Sequence, residues 1–148
     1  MLVLLIGDSY IPFNASDLPL KFRKLLTPGK ISKILCTGNL NLTTTVEYLK
    51  TICSDISFVG GEFDDVPVTT QIVQLNNLKF GLVSGYSMLP WNNDKIWEMK
   101  ARETDADVLI SGFGNGFWAK EIDGRFYVNP GSCTGSYFHV ISYHALIN

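Results

Sequence analysis

An α/β fold built on a parallel sheet is what this sequence predicts, on two observations. Apolar runs of strand length alternate with stretches of helical period. Five of the runs end on glycine followed by a polar or aromatic residue: Gly7-Asp8, Gly38-Asn39, Gly61-Glu62, Gly85-Tyr86 and Gly112-Phe113. Parallel strands joined by right-handed crossovers gather their carboxyl ends on one side, so these five ends converge on a single site.

The elements follow in order. Residues 1–6 form an apolar strand, and 9–16 a loop. Residues 17–26 read as a helix with Asp17 as N-cap and Pro19 in the first turn, where it costs no helical bond. Leu18, Phe22, Leu25 and Leu26 share one face, and Pro28-Gly29 closes the element. Residues 31–37 give a second strand; Asn41 or Thr43 caps a helix carrying Val46, Leu49 and Ile52; residues 56–59 give a third. The second half changes character. Residues 69–75 and 78–84 form a hairpin around Asn76-Asn77. A loop with Met88-Leu89-Pro90-Trp91 leads to a helix over 94–103 and a buried strand over 107–112. A second hairpin, 117–122 with 125–128, turns at Asp123-Gly124, and 137–143 is a last strand-like run. No repeat, low-complexity segment or linker interrupts this order, so residues 1–148 are expected to form one domain.

Composition narrows the function. A chain of 148 residues buries roughly 68 to 70% of its unfolded surface around one core. Hydrophobic residues make up 46% and charged residues only 18%, which leaves large apolar side chains over for a contact surface. A net charge of -2 supplies no basic field for nucleic acid or anionic lipid. Three cysteines, Cys36, Cys53 and Cys133, are an odd number without CxxC spacing, and no cleavage-like site precedes the first strand, so a reducing cytosolic compartment is expected. No apolar run reaches the ~18 residues of a membrane span, which limits membrane association to a peripheral kind.

Several ordered stretches, Gly7-Asp8, Leu35-Cys-Thr-Gly-Asn-Leu40, Pro90-Trp91, Leu109-Ile-Ser-Gly112 and Phe126-Tyr-Val-Asn-Pro-Gly-Ser132, carry a resemblance along almost the whole chain to the metallophosphoesterase superfamily. The closer resemblance is to the vacuolar protein sorting-associated protein 29 family, the small metallophosphoesterase-like subunits of retromer. It implies a two-sheet sandwich flanked by helices. It also implies that the chain is shortened at its C-terminus, because family members add several strands after the Asn-Pro-Gly-Ser loop. That would leave a sheet edge unpaired or give residues 137–143 a substitute role.

The ligand positions of the superfamily are altered one by one. A two-metal centre needs a carboxylate bridge and several imidazoles, which bring the cations ~3.5 to 4 Å apart. The only histidines, His139 and His144, lie beyond the last family motif. Asp8 is present, but the histidine two residues on is Tyr10, the bridging aspartate is Asn39, and Glu62 stands where Asn or Asp is usual. The Gly-His position is Gly85-Tyr86, and Gly-His-x-His has become Gly112-Phe113-Gly-Asn115. No metal or other cofactor is therefore expected. Asp8 should be satisfied by loop amides or by the Tyr10 or Tyr86 hydroxyl, with Tyr10, Tyr86 and Phe113 filling the space of the metals.

Other chemistry is weaker. The glycines of 112–116 do not open a helix as a nucleotide loop must, and Ser132 and the cysteines have no histidine at a motif distance. The resemblance instead implies two partner surfaces. The face over the vestigial metal site, with Met88, Leu89, Pro90 and Trp91, would dock on a helical-solenoid subunit; the opposite face, with Leu2, Leu25 and Leu26, would bind regulatory proteins. The expected function is a non-catalytic scaffold of a retromer-type complex that recycles endosomal cargo, cytoplasmic and held on endosomal membranes through partners. A second reading, from a different class, is a divergent metal-dependent phosphoesterase using Asp8, Asn39 and Glu62.

Overall fold

The strands divide between two sheets, as the resemblance implied, where strand–helix alternation by itself pointed only to a parallel sheet. The structure, a computed structural model, describes residues 1–13, 15–40, 43–90, 93–112, 116–135 and 146–147. The first sheet holds β1 (Val3–Ile6), β2 (Lys33–Cys36), β3 (Ile56–Phe58) and β9 (Leu146–Ile147) in the order β3-β2-β1-β9. The second holds β4 (Thr70–Leu75), β5 (Leu78–Ser84), β6 (Val108–Gly112), β7 (Trp118–Ile122) and β8 (Arg125–Asn129) in the order β4-β5-β6-β8-β7. Crossovers make β1, β2 and β3 parallel, and likewise β5, β6 and β8. The two hairpins add the antiparallel edge strands β4 and β7.

The strand pattern explains the packing. All four residues of β1 are buried, because a strand covered on both faces reads as one continuous apolar run. Val3 and Leu5 turn inward with Leu35 to meet Val73, Leu82, Ile110 and Val128 between the sheets. Leu4 and Ile6 turn outward with Ile34 and Cys36, and pack under Phe22, Leu26, Leu49 and Ile52. These come from α1 (Leu20–Leu25), the residue after it, and α2 (Thr43–Ile52). On the far side, Trp97 and Ala101 of α3 (Asp94–Thr104) cover Val83, Leu109 and Tyr127. The architecture is thus a two-sheet sandwich flanked by helices, as the resemblance implied.

Local signals hold with one correction. Asn76 has φ 53° in the first hairpin turn, and Asp123 and Gly124 have φ 52° and 75° in the second. These are the left-handed conformations that tight hairpin turns require. Asn93 caps α3 by accepting from the Lys95 N–H at 3.0 Å. Asp17, expected to cap α1, does not; Pro19 holds the N-cap position without a side-chain bond. The reason is steric. Leu18 precedes proline and is pushed out of helical conformation, so the helix starts later. Asp17 instead accepts from the Leu18 N–H at 2.7 Å and pairs with Arg23 at 2.8 Å.

At the free side of β1, Val3 and Leu4 pair with Ile147 and Leu146. The expected strand over 137–143 and the Asn41 cap lie outside the described residues, as do His139 and His144.

Candidate functional site

The ends of β1, β2 and β3 meet the loop after β8 at one place. Gly7 is required there, since a Cβ on it would run into the Gly131 carbonyl. With that close approach, the loop latches onto the end of β1: the Ser132 hydroxyl and the Cys133 N–H donate to the Asp8 carbonyl at 2.8 and 3.2 Å, and the Thr134 hydroxyl donates to the Ser9 carbonyl at 2.7 Å. The end of β2 turns through Gly38 (φ 106°) and Asn39 (φ 53°). There the Asn39 carbonyl accepts from the Ser9 and Tyr10 N–H groups, each at 3.1 Å.

Asn39 is the hub of the site. Its side-chain Nδ2 donates to Asp8 Oδ1 at 2.7 Å and to the Tyr10 hydroxyl at 3.3 Å. Its Oδ1 accepts from the Phe63 N–H at 3.3 Å, which fixes the amide with its hydrogens toward Asp8. Its own N–H donates to Asp64 Oδ2 at 2.5 Å, and the Gly61 N–H donates to the same oxygen at 3.0 Å. Asp8 and Asn39 are each only 3% exposed, and Tyr10 is buried beside them. The Tyr10 ring meets Phe63 edge-on at 6.0 Å.

The electrostatics follow from that burial. Desolvation pushes the Asp8 carboxyl up to about 7, against the opposing bond from Asn39 and with the nearby Asp64 and Glu62 carboxylates adding to the rise. Burial likewise pushes the Cys36 thiol up to about 12 and raises that of Cys133. Two hydroxyls behind the site, Thr37 Oγ1 and Ser111 Oγ, are buried without a hydrogen-bond partner among the described residues.

Sequence-predicted residues separate into three groups. Asp8, Tyr10 and Asn39 come together as expected, but the donor to Asp8 is the Asn39 amide and not a tyrosine hydroxyl. Tyr86 lies half-buried in the 3-10 turn Gly85–Ser87, and Glu62 is exposed. Phe113, Asn115 and Trp91 lie outside the described residues. The residue missed is Asp64, two positions beyond Glu62, which the two backbone N–H groups orient. The signal was the second carboxylate of Gly60-Gly61-Glu62-Phe63-Asp64.

Two residues expected at partner surfaces belong to the core. Met88 is 2% exposed and packs with Val83 and Trp97, because the 3-10 turn folds it back under α3. Its neighbour Leu89 is 56% exposed, and Pro90 is exposed as well. Leu26 is buried under the first sheet's outer face, whereas Leu25 is 55% exposed and Leu2 is half-buried against the same core.

Comparison with known proteins adds ancestry to this geometry. The profile of the calcineurin-like phosphoesterase superfamily domain matches residues 1–147. Vacuolar protein sorting-associated protein 29 of Schizosaccharomyces pombe is 48% identical over 139 residues, which cover 92% of this chain and 74% of that protein. The solved structure of vacuolar protein sorting 29 from Cryptosporidium parvum aligns with a TM-score of 0.87 at 37% identity, over 92% of this chain and 76% of that one. The wild-type protein of Entamoeba histolytica, solved in complex with zinc, aligns with a TM-score of 0.85 at 36% identity, over 93% of this chain and 77% of that one.

Proposed function

The chain belongs to the vacuolar protein sorting-associated protein 29 family of the calcineurin-like phosphoesterase superfamily, and on that footing we propose that it is a non-catalytic scaffold subunit of a retromer-type endosomal cargo-recycling complex. The observation that carries the proposal is the hydrogen bond from Asn39 Nδ2 to Asp8 Oδ1. Where the superfamily's chemistry asks for a bridging carboxylate, this chain presents a donor, and that donor is already spent on Asp8.

The donor set fits a catalytic metal pair poorly. Among the described residues there is no histidine and no group of three or more His, Cys, Asp or Glu side chains placed to hold a metal ion. A cation at Asp8 would have to displace the bond from Asn39 Nδ2, which already occupies the carboxylate. Zinc is held by the Entamoeba relative; this chain opposes such binding with an amide hydrogen bonded to Asp8.

The exposed Leu89 and Pro90, on the loop that follows β5, supply an apolar contact for a helical-solenoid subunit. Leu2 and Leu25 supply a second surface, on the outer side of the first sheet, for regulatory proteins. No helix of the described residues is long and apolar enough to cross a membrane, which is consistent with recruitment to endosomes through partners.

Catalysis is the point at which the proposal is tested. Hydrolysis of a generic phosphodiester is measured with added manganese, for the wild type and for Asp8→Ala. The proposal expects the same background rate in both; turnover that disappears in Asp8→Ala would establish the phosphoesterase reading instead.

A further inference from the structure

We propose that Thr27 is a phosphorylation site for a proline-directed protein kinase, presented on the turn between α1 and β2. Thr27-Pro28 is the only Ser-Pro or Thr-Pro step in the chain, and Lys30 stands three residues after Thr27. A hydroxyl followed by proline and then by a cation is the pattern such kinases read. Proline brings no N–H, so a kinase cleft with no acceptor at that position takes it and rejects other residues, each of which would leave a donor unsatisfied.

The structure supplies what the pattern alone lacks, which is access. Thr27, Pro28, Gly29 and Lys30 are all exposed. Gly29 is in the left-handed conformation (φ 81°), and a Cβ built on it would meet no atom within 4 Å, so the turn stands clear of the fold. Its backbone bonds are local: the Thr27 N–H donates to the Leu25 carbonyl at 3.0 Å, and the Lys30 N–H to the Thr27 carbonyl at 3.3 Å. The buried Leu26 and Ile31 anchor it at either end. A turn tied chiefly to itself opens into the extended form a kinase cleft needs while the core stays packed.

The surroundings also suit the product. Residues 18–33 hold Lys21, Arg23, Lys24, Lys30 and Lys33 and no acid. Arg23 and Lys33 are paired with Asp17 and Asp55. Lys24, in the last turn of α1, and Lys30 have no ion-pair partner among the described residues. A phosphate on Thr27, with nearly two negative charges and three acceptor oxygens, would draw both lysines. That attraction offsets repulsion from the carbonyl end of α1. The group would stand two residues from the exposed Leu25, on the surface assigned above to regulatory proteins; the site itself does not depend on that assignment.

The transfer balances with ATP as the donor. Thr27 Oγ1 bonds to the γ-phosphorus, the bond from that phosphorus to the bridging oxygen breaks, and ADP leaves. The hydroxyl proton passes to the catalytic carboxylate of the kinase.

The test incubates the folded full chain with radiolabelled ATP and a purified cyclin-dependent kinase, and maps the product by tandem mass spectrometry. A single phosphate is expected, on Thr27. Thr27→Val should abolish incorporation, Pro28→Ala should slow it about tenfold or more, and Lys30→Gln should slow it severalfold. These positions are exposed, so the melting temperatures of the variants should stay within about 3 °C of wild type. In the modified chain, a phosphorus NMR titration should place the second phosphate ionisation below its ordinary value of about 6, and Lys24→Gln should move it back toward that value. No incorporation into the folded chain would overturn the site. So would incorporation that survives Thr27→Val or proceeds unchanged in Pro28→Ala. An ionisation unmoved from about 6 would overturn the capture of the phosphate by Lys24 and Lys30.

Discussion

Asn39 Nδ2 lies 2.7 Å from Asp8 Oδ1 and donates to it, joining the ends of β1 and β2 where both residues are almost fully buried. Restoring the superfamily carboxylate by Asn39→Asp would put two acids in contact, and like charges at that separation cannot both ionise. The variant should lose about 2 to 4 kcal/mol of stability at pH 8, and recover much of it at pH 5, where a shared proton relieves the pair. Urea denaturation at the two pH values measures the difference.

The raised carboxyl of Asp8 makes stability pH-dependent with a definite sign. Burial first, then the Asp64 and Glu62 carboxylates, lift it from 3.8 to about 7. Between those values the folded chain keeps a proton that the unfolded chain releases. The stabilisation is therefore fully present below the unfolded value of 3.8 and is lost as pH rises through about 7. A shift of that size has a ceiling of about 4 kcal/mol. In Asp8→Asn this dependence should vanish, so the variant's stability relative to wild type should rise progressively from pH 4 to pH 8. Thermal melts across that range check it.

Neighbouring residues on one loop should behave oppositely. Met88→Ala removes a buried side chain from the cluster with Val83 and Trp97 and should cost about 2 to 4 kcal/mol. Leu89→Ala removes an exposed one and should stay within about 0.5 kcal/mol of wild type. Denaturant midpoints at fixed m-value distinguish them.

The thiols should react unequally. Cys36 and Cys133 are buried with raised pKa values, and Cys53 is half-buried on the flank of the core. Under native conditions at pH 8 a disulfide reagent should modify Cys53 first, and the other two only at the rate of unfolding. Mass spectrometry of the labelled chain identifies the order.

Much of this was readable in the residues, and the misses have physical causes. The all-buried β1 and β2 announced themselves as continuous apolar runs, and the hairpins through Asn76-Asn77 and Asp123-Gly124. Division into two sheets was not legible from strand period, because period fixes which face a residue takes and not which sheet a strand joins. Asp17 was misread because the restriction that Pro19 imposes on Leu18 outweighs a good cap. Met88 and Leu26 were misplaced because one apolar type precedes another at Met88-Leu89 and Leu25-Leu26. Only the backbone decides which of each pair turns inward. Asp64 was missed because its value lies in accepting from Asn39 and Gly61 N–H groups, a role that counting ligands along the chain does not reveal.

The scaffold account is tested most directly by binding to the helical-solenoid subunit. Affinity of that purified subunit is measured by calorimetry for the wild type and for Leu89→Asp, with circular dichroism and melting used to establish that both are folded. The account predicts saturable wild-type binding and a loss of about a hundredfold or more in Leu89→Asp at unchanged stability. Equal affinity of the two chains, or no binding by the wild type, would contradict it.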